Sequence, residues 1–462
     1  MKNNLYRRRS VPDFFYFLSV MTGITSLAMI PSLIIAAANR EGRMAFSFAL
    51  SLGIGVFMSL PVLLLTGKRE ARTADPGRSS VPQGLLLVCL AWVFSCLLGA
   101  LPFLFSGALP DFPSAVFESV SGFTTTGATI FADVESLPCS LLFWRAATQW
   151  LGGMGTVVLI AALAPVLRYI YLGLTFVETL LLRLGGMTWF DAVTHAFSTM
   201  ATGGFSTRNG GIAAWNSPFL EWVIIVFMFI AGFNFNLIFA LLSGKGREIP
   251  GSSEAKGYFR IIAAAAVLCA VSLAPGLGTG TSIRLGLFQS VSVLSTTGFS
   301  AADQRLWPPV AQCCLFLLMF IGGCSSSAAG GIKVIRHVIL CKQAGNEVKR
   351  LLYPRGVFSI TLNKRESRKD VVYGAAGFVF LYLLLVLAAA LLLCTTGLDI
   401  FSGFNIGLLA AGNIGIGFVN NMEEVLGHFP AYAKWALSFV MIAGRLELWT
   451  VFALFARGIG GR

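Results

Sequence analysis

The chain has 462 residues, of which 56% are hydrophobic and only 12% are charged, and its mean hydropathy is +0.78. About a quarter of the residues of a soluble domain are charged, so this composition excludes an ordinary soluble protein and indicates a polytopic membrane protein. The net charge of +13 does not indicate nucleic-acid binding, because the basic residues lie in short clusters between apolar runs.

The N-terminal part of the chain predicts a two-helix transmembrane hairpin, residues 14–66. Its apolar runs, 14–38 and 45–66, each have about the ~20 residues needed to cross the hydrocarbon core. The basic segment 1–9 before them and the basic, Pro-Gly-containing segment 67–80 after them predict cytoplasmic ends for the hairpin.

Beyond residue 82 the sequence repeats one pattern four times: a long apolar run, a short apolar segment, a polar loop and a second long apolar run. The four units cover residues 82–167, 169–242, 258–341 and 371–460. The short segments, 112–123, 189–200, 282–294 and 400–410, cannot cross a bilayer and are predicted to be re-entrant pore helices. The second long runs are expected at 141–167, 218–242, 309–340 and 432–456. The fold expected is therefore all-α, with four helix–pore-helix–helix repeats around a central pore.

The polar loops resemble one another. They contain the sequences FTTTGATI, MATGGFST, LSTTGFS and, more weakly, AGNIGIG. Phe117 and Phe288 both begin a Phe-X-Ser-Val-Ser pattern that reaches glycine ten residues later, at Gly127 and Gly298. One such loop would be interpreted as an ordinary turn, whereas four copies in matched context favour a shared function.

Non-helical backbone at membrane depth is tolerated where it is buried in protein or lines a water-filled path. Four such loops meeting at an axis present carbonyl oxygens that replace the hydration shell of a cation. The C-terminal ends of the pore helices add negative dipole ends that favour the same charge. The repeated loops therefore predict a cation-selective path.

Most of the 34 Lys and Arg residues fall on one side if the N-terminus is cytoplasmic, which places the polar loops on the outer side and both termini in the cytoplasm. The connection near Arg168 and Tyr169 is unusually short. Either it is a tight turn, or residues are missing between these two positions.

The third unit contains a run of small residues, GGCSSSAAGG, that begins at Gly322 and is followed by Lys333. Such a run is a poor continuous helix, although it also suits a close-packed helix face. Arg445 lies within the last apolar run, where an arginine is usually functional or paired. Glu447 is a candidate partner, but a spacing of two residues places the pair on different helix faces. Glu118, on the first pore helix, is expected to pair with an arginine.

The segments FESVSGFTTTGAT, HAFSTMATGGFST, STTGFS, IGGCSSSAAGGIKVIR and GRLELWTVFALF resemble the membrane-embedded, potassium-translocating subunit of the Trk/Ktr/HKT superfamily, closest to the Trk type. The resemblance implies one potassium path through a single filter. The filter residues it implies are Thr125, Thr126, Gly127, Thr202, Gly203, Gly204, Thr296, Thr297, Gly298, Asn413, Ile414 and Gly415. The gate residues it implies are Gly322, Gly323, Ser325, Ser326, Lys333 and Arg445. The chain departs from the family at Ile416, where proline is common, and in the short connection near Arg168.

The resemblance also implies a cytoplasmic nucleotide-binding (NAD or ATP) regulatory ring as partner, a homodimer, and a bacterial cytoplasmic membrane as location. Potassium is expected as the substrate, with no cofactor on this chain. A secondary transporter that couples potassium to protons or sodium is the alternative. An enzyme is not predicted, because the sequence shows no nucleophile–base pair and no metal-ligand spacing among its nine cysteines.

Overall fold

A computed structural model describes the backbone of residues 2–70, 81–160, 166–363, 365–366 and 369–452, and the side chains of 15–64, 84–155, 166–363 and 370–452. This part of the chain is almost entirely helical, as predicted. The helices are Lys2–Leu27 (α1), Ile30–Ala38 (α2), Gly42–Glu70 (α3), Val81–Phe105 (α4), Phe112–Phe123 (α5), Cys139–Ile160 (α6), Val166–Leu184 (α7), Trp189–Met200 (α8), Pro218–Gly232 (α9), Phe235–Leu242 (α10), Ser253–Leu277 (α11), Thr279–Leu294 (α12), Pro309–Leu318 (α13), Val334–Leu352 (α14), Lys369–Cys394 (α15), Ile400–Gly412 (α16), Met422–Gly427 (α17) and Ala431–Arg445 (α18). A two-residue hairpin pairs Thr361–Leu362 (β1) with Arg365–Glu366 (β2).

Within the described residues, five helical stretches are long and apolar enough to cross a membrane, and a sixth is added if α9 and α10 count as one bent span. These are 15–38, 42–64, 84–105, 253–277 and 370–394. Three of the remaining predicted spans, 218–242, 309–340 and 432–456, are interrupted, and one is charged. The charged one, helix α7, carries Arg168, Glu178 and Arg183.

The N-terminal hairpin packs on the first repeat unit. Phe48 of α3 meets Trp144 of α6 edge-on, with ring centroids 6.2 Å apart. The Glu41 carboxylate, between α2 and α3, accepts hydrogen bonds from the backbone amides of Cys139 (3.1 Å) and Ser140 (3.4 Å). These amides are the first of α6 and lack partners within the helix, so the hairpin caps this helix.

The short segments form helices as predicted, and two of them, α5 and α8, have the predicted bounds. Their starts are encoded locally. Asp111, Thr188 and Asp399 each accept a hydrogen bond from the backbone amide three residues on, at the N-termini of α5, α8 and α16. Helix α12 begins at Thr279, three residues before its predicted start, after Gly278 with φ 75°.

The second long runs are less regular than predicted. The run 218–242 is two helices, α9 and α10, bent by 103°, because Asn234 caps a new helix there. The run 309–340 ends as a helix at Leu318 and resumes at Val334. The run 432–456 is interrupted after Arg445, where Glu447 has φ 62°. Continuous helices over 218–242 and 432–456 were wrong predictions, whereas the break in 309–340 falls at the small-residue run that the sequence indicated to be a poor helix.

The short connection between the first and second repeat units does not lie at Arg168 and Tyr169, as was predicted. Helix α6 ends at Ile160 and α7 begins at Val166, so Arg168 and Tyr169 lie inside α7 and do not form a turn. The chain joining the two helices, 161–165, is outside the described residues, as are 71–80 of the predicted basic loop.

Candidate functional site

The polar loops share one backbone geometry. Each pore helix ends one or two residues before a residue in the left-handed conformation: Thr125 (φ 55°), Thr202 (φ 55°), Thr296 (φ 56°) and Asn413 (φ 53°). In the first three loops a glycine with φ between 79° and 82° follows two residues later. Residues that carry a side chain rarely adopt these backbone angles, which explains why glycine occupies positions 127, 204 and 298. The fourth loop differs, because Gly415 is not among the positive-φ residues.

The loops form a closed ring in chain order. A Cβ atom at Gly127 would overlap the Gly203 carbonyl oxygen, and one at Gly204 would overlap the Thr297 carbonyl oxygen. A Cβ at Gly298 would lie 2.7 Å from the Gly415 amide nitrogen, and one at Gly415 would lie 2.8 Å from the Thr126 carbonyl oxygen. The structure therefore brings the sequence-predicted filter residues of all four loops together, and each loop touches the next.

The ring is buried, and hydroxyl groups of its first and third loops pair within each loop. Thr125, Thr126, Thr202, Thr296 and Thr297 are all fully buried. Thr124 and Thr126 share a 2.7 Å hydrogen bond between hydroxyls, as do Ser295 and Thr297. Asn413 donates to Thr126 Oγ1 at 3.0 Å and so ties the fourth loop to the first. Ile414 is also fully buried.

Each of the first and third loops is also fixed by a serine on its own pore helix. Ser121 donates to the Ala128 carbonyl at 2.5 Å, and Ser292 donates to the Phe299 carbonyl at 2.7 Å. The two serines are six residues before Gly127 and Gly298, so the Phe-X-Ser-Val-Ser repeat of the sequence corresponds to the same hydrogen bond in both units.

Glu118 pairs with an arginine, as the sequence predicted. Its carboxylate accepts from Arg145 Nε of α6 at 2.8 Å, and both side chains are almost fully buried. The same carboxylate accepts from the Thr129 hydroxyl and the Ile130 amide, which follow the first filter loop. The arginine also stacks on Phe205 with its guanidinium carbon 4.1 Å from the ring centroid. This buried pair connects the first loop to the second.

Acidic groups lie outside the ring, in the segments that leave the filter loops. Hydrogen bonds from Arg305 lower the pKa of Asp303 although partial burial opposes them, and a hydrogen bond from Asn209 lowers the pKa of Asp133. Both carboxyl groups are therefore ionised at neutral pH, and the charge of Asp303 is balanced by its ion pair with Arg305.

Residues 319–333, between α13 and α14, form an irregular segment that we name the intramembrane loop. The alternative interpretation of the small-residue run as a helix face is wrong for this segment. The loop occupies the break between α9 and α10. The amides of Cys324 and Ala328 donate to the last carbonyls of α9, those of Gly232 and Ala231, and the Phe235 amide of α10 donates to the Ser326 carbonyl. The loop thus completes hydrogen bonds that a continuous helix would make internally.

The intramembrane loop also contacts the ring directly. The Ala328 carbonyl accepts from Thr202 Oγ1 at 3.0 Å, and the Gly330 amide donates to Thr296 Oγ1 at 2.7 Å. A Cβ at Gly330 would lie 3.0 Å from Asn413 Oδ1. Three of the four left-handed residues therefore touch this loop.

The predicted gate residues converge on the same loop. Arg445 is almost fully buried and donates from Nη1 to the Ala328 carbonyl at 2.6 Å. Lys333 donates to the Ala329 carbonyl. Glu447 pairs with Arg336 at 2.8 Å, so it is engaged elsewhere. Gly322 donates to the Ile332 carbonyl and Gly323 accepts from the Val334 amide, which closes the loop on itself.

Glu254, at the start of α11, was missed by sequence analysis. Its carboxylate accepts from the Ser325 amide at 2.6 Å and from Asn234 Nδ2 at 3.2 Å. It therefore joins the intramembrane loop to the break between α9 and α10. An acid at the start of a long apolar run was the available signal, but its partner Ser325 lies far away in sequence.

This fold and site define a class: a polytopic, all-helical membrane protein with re-entrant loops that meet in a buried ring. A sequence profile described as "TrkH: Cation transport protein" matches residues 54–173, 160–277 and 272–458. The chain belongs to this TrkH family of cation transport proteins.

Named relatives match this chain over nearly its whole length. The chain is 33% identical to the Trk system potassium uptake protein TrkH of Halomonas elongata, with 95% of this chain and 97% of that protein covered. It is 34% identical to the protein of the same name from Escherichia coli K12, with 92% and 94% covered. The crystal structure of the potassium transporter TrkH from Vibrio parahaemolyticus matches with a TM-score of 0.88 at 31% identity, over 96% of this chain and 98% of that one.

Proposed function

We propose that this chain is a potassium uptake subunit of a bacterial cytoplasmic membrane, with a gated pore whose single filter is the ring of four loops. The observation that carries the proposal is the closed, buried ring, in which each loop touches the next. Carbonyl oxygens in such a ring replace the hydration shell of a cation. The likeness to proteins named for potassium uptake, over nearly their whole length, supports potassium as that cation.

The intramembrane loop is proposed as the gate. It lies against Thr202 and Thr296 of the ring, and it is held there by Arg445 and Glu254. Opening requires this loop to leave the ring. The charges of Lys333 and Arg445 add repulsion for a passing cation, which is stronger at low dielectric than in water.

Coupled transport is the second candidate. Glu178 of α7 is fully buried and forms no salt bridge with any described residue. Intramembrane carboxyl groups are typical of proton-coupled carriers, and this side chain is the observation that favours the alternative. It interacts with Thr199 at the end of the second pore helix, α8.

Purified protein in liposomes tests both candidates. A pore gives a reversal potential set by the potassium gradient alone, and rubidium uptake that a pH or sodium gradient does not drive. A reversal potential that shifts with the pH gradient, and loses this shift in Glu178→Gln, would instead support the carrier. Absence of potassium-selective flux in either assay would contradict the proposed function.

A homodimer and a cytoplasmic nucleotide-binding ring are proposed as partners, and no nucleotide is assigned to this chain. The segment available for docking is the C-terminal half of α14 with the hairpin β1–β2. It exposes Lys349 and Arg350 and is connected to the gate side of the protein, because Asn363 and Ser253 exchange two hydrogen bonds. Size-exclusion chromatography with light scattering tests the homodimer on the chain alone. The same measurement on the chain co-expressed with a candidate nucleotide-binding subunit tests the regulatory ring.

A further inference from the structure

The second filter loop is held differently from the first and third. Its pore-helix serine, Ser198, does not donate to the loop backbone but to Gln149 Oε1 of α6, at 2.6 Å. Gln149 is fully buried. Its Nε2 donates to the Gly203 carbonyl at 2.7 Å, and its Oε1 accepts from the Phe205 amide at 3.2 Å. One amide side chain therefore bonds to the backbone on both sides of Gly204.

The same amide occupies the space of a missing side chain. A Cβ at Gly203 would overlap the Gln149 amide group, with Nε2 at only 2.7 Å. The residue that precedes the filter glycine is Thr126 in the first loop, Thr297 in the third and Ile414 in the fourth, so glycine at this position is confined to the second loop. Gly203 does not have a positive φ. The absence of a side chain at this position is therefore explained by the space that the Gln149 amide occupies.

The helix behind the loop shows the reciprocal pattern. Gln149 lies three residues before Gly152, which packs on the carbonyl of Phe123 at the end of a pore helix. Gly444 of the fourth unit packs in the same way on the carbonyl of Ala411, near the end of a pore helix, and the residue three positions before it is Met441. Met441 is buried. The fourth loop has Ile414 where the second has Gly203, so the helix behind it carries an apolar side chain where the loop has a side chain of its own.

We propose that Gln149 is a positioning residue of the potassium filter, whose amide replaces the side chain absent at Gly203 and fixes the Gly203 carbonyl, so that it contributes to the discrimination between potassium and sodium. The proposal rests on the proposed function. Its physical basis is that selectivity depends on the number and placement of carbonyl dipoles. A carbonyl that loses a buried donor either moves or remains unsatisfied.

Gln149→Met is the sharpest variant, because it keeps the shape of the side chain and is the residue at the matching position of the fourth unit, Met441. Gln312→Met is its matched control. Gln312 also donates to backbone carbonyls, those of Arg305 and Trp307, but at the outer end of α13. In bi-ionic measurements on reconstituted protein we expect the potassium-to-sodium permeability ratio to fall by about fivefold in Gln149→Met, the lower end of the effect of one unsatisfied buried group, and to be unchanged in Gln312→Met.

A second pair of variants keeps the proposal testable if Gln149→Met fails to fold. Gly203→Ala places a methyl group against the amide and is expected to lower the melting temperature and potassium flux. Gly203→Ala combined with Gln149→Ala is expected to recover part of both losses, because the space is free again.

An unchanged permeability ratio in a Gln149→Met protein of normal melting temperature would overturn the proposal, since a purely structural role predicts that result. So would a Gly203→Ala protein that is as stable as wild type, or a double variant no better than the single one. A wild-type protein without potassium selectivity would contradict the proposed function instead, whereas the melting temperatures would still report on the Gln149–Gly203 contact.

Discussion

Gly127 lies where the first and second filter loops touch, and both its backbone conformation and its surroundings disfavour a side chain. Its φ of 79° disfavours a side chain, and a Cβ would overlap the Gly203 carbonyl oxygen. We therefore expect Gly127→Ser to displace that carbonyl and to lower the potassium-to-sodium permeability ratio by about tenfold, which corresponds to about 1.4 kcal/mol. Reversal potentials under bi-ionic conditions measure the change.

Gly244→Ser is the control for backbone strain alone. Gly244 has φ 76°, and a Cβ there meets nothing within 4 Å. It should leave the permeability ratio unaltered. If Gly127→Ser folds and keeps the wild-type ratio, Gly127 is not a filter residue.

Arg445 is the second residue whose role the structure sharpens. Its bond to the Ala328 carbonyl holds the intramembrane loop beneath the ring, and hydrogen bonds from charged groups contribute about 1.5–3 kcal/mol. Arg445→Ala should therefore raise rubidium uptake without a regulatory partner by about tenfold. The stability cost is limited by the fact that Glu447 retains Arg336 as its partner.

Arg445→Lys separates charge from attachment, because lysine keeps the positive charge but not the guanidinium geometry. Uptake close to wild type in Arg445→Lys indicates that the charge is sufficient, and uptake close to that of Arg445→Ala indicates that the hydrogen bond is required. A folded Arg445→Ala protein with reduced uptake would contradict a gating role for this side chain.

At the scale of elements, the pore helices were predictable and the second long helices were not. Helices α5 and α8 carry their start signals at Asp111 and Thr188, within three residues of the amides that these side chains cap. The break between α9 and α10 has one local signal, Asn234, which caps α10 in an otherwise apolar run. Its other partners belong to the intramembrane loop, about 90 residues further along the chain. An apolar run gives no indication that its hydrogen bonds are completed from elsewhere.

The filter shows the same division. Repetition of Thr and Gly identified the ring residues, because these residues carry the backbone conformation themselves. Ser121 and Ser292, which fix the first and third loops, lie within the repeat as well. The second loop is instead positioned by Gln149, on a helix that no repeat of the polar loops marks. Sequence similarity among the loops therefore predicted what lines the site, but only part of what holds it.

Glu254 gives a prediction for the intramembrane loop as an element. Deleting part of the loop would remove the partners of the Ala231 and Gly232 carbonyls and destabilise α9, so a point variant is more informative. Glu254→Ala removes the acceptor of the Ser325 amide and of Asn234. We expect basal rubidium uptake to rise by about tenfold, with the permeability ratio retained because the ring is untouched.

Glu248→Ala is a suitable control, since Glu248 is an exposed acid in the segment just before α11. Its uptake should match wild type. Equal uptake in Glu254→Ala and Glu248→Ala would show that Glu254 does not hold the gate.

At the scale of the whole molecule, the charge pattern and the order of the elements together predict the orientation of the protein in the membrane. Cys139 lies at the start of α6, after the first filter loop, and Cys341 lies in the basic helix α14, after the intramembrane loop. The positive-inside rule predicts that α14 is cytoplasmic. We therefore expect Cys139 and the loops that carry Asp133 and Asp303 to face the medium from which potassium is taken.

The protein contains its own reporters for this orientation, because Cys139 and Cys341 are both exposed and unpaired as disulfides. Cys313, which is exposed on α13, is first replaced by serine. A membrane-impermeant maleimide applied to intact cells is expected to label Cys139, and labelling should disappear in Cys139→Ser. Cys341 should react only after the membrane is permeabilised, and that signal should disappear in Cys341→Ser. Labelling of Cys341 in intact cells would contradict this orientation. The filter would then face the cytoplasm, which is incompatible with uptake through a pore whose inner side is closed by the intramembrane loop.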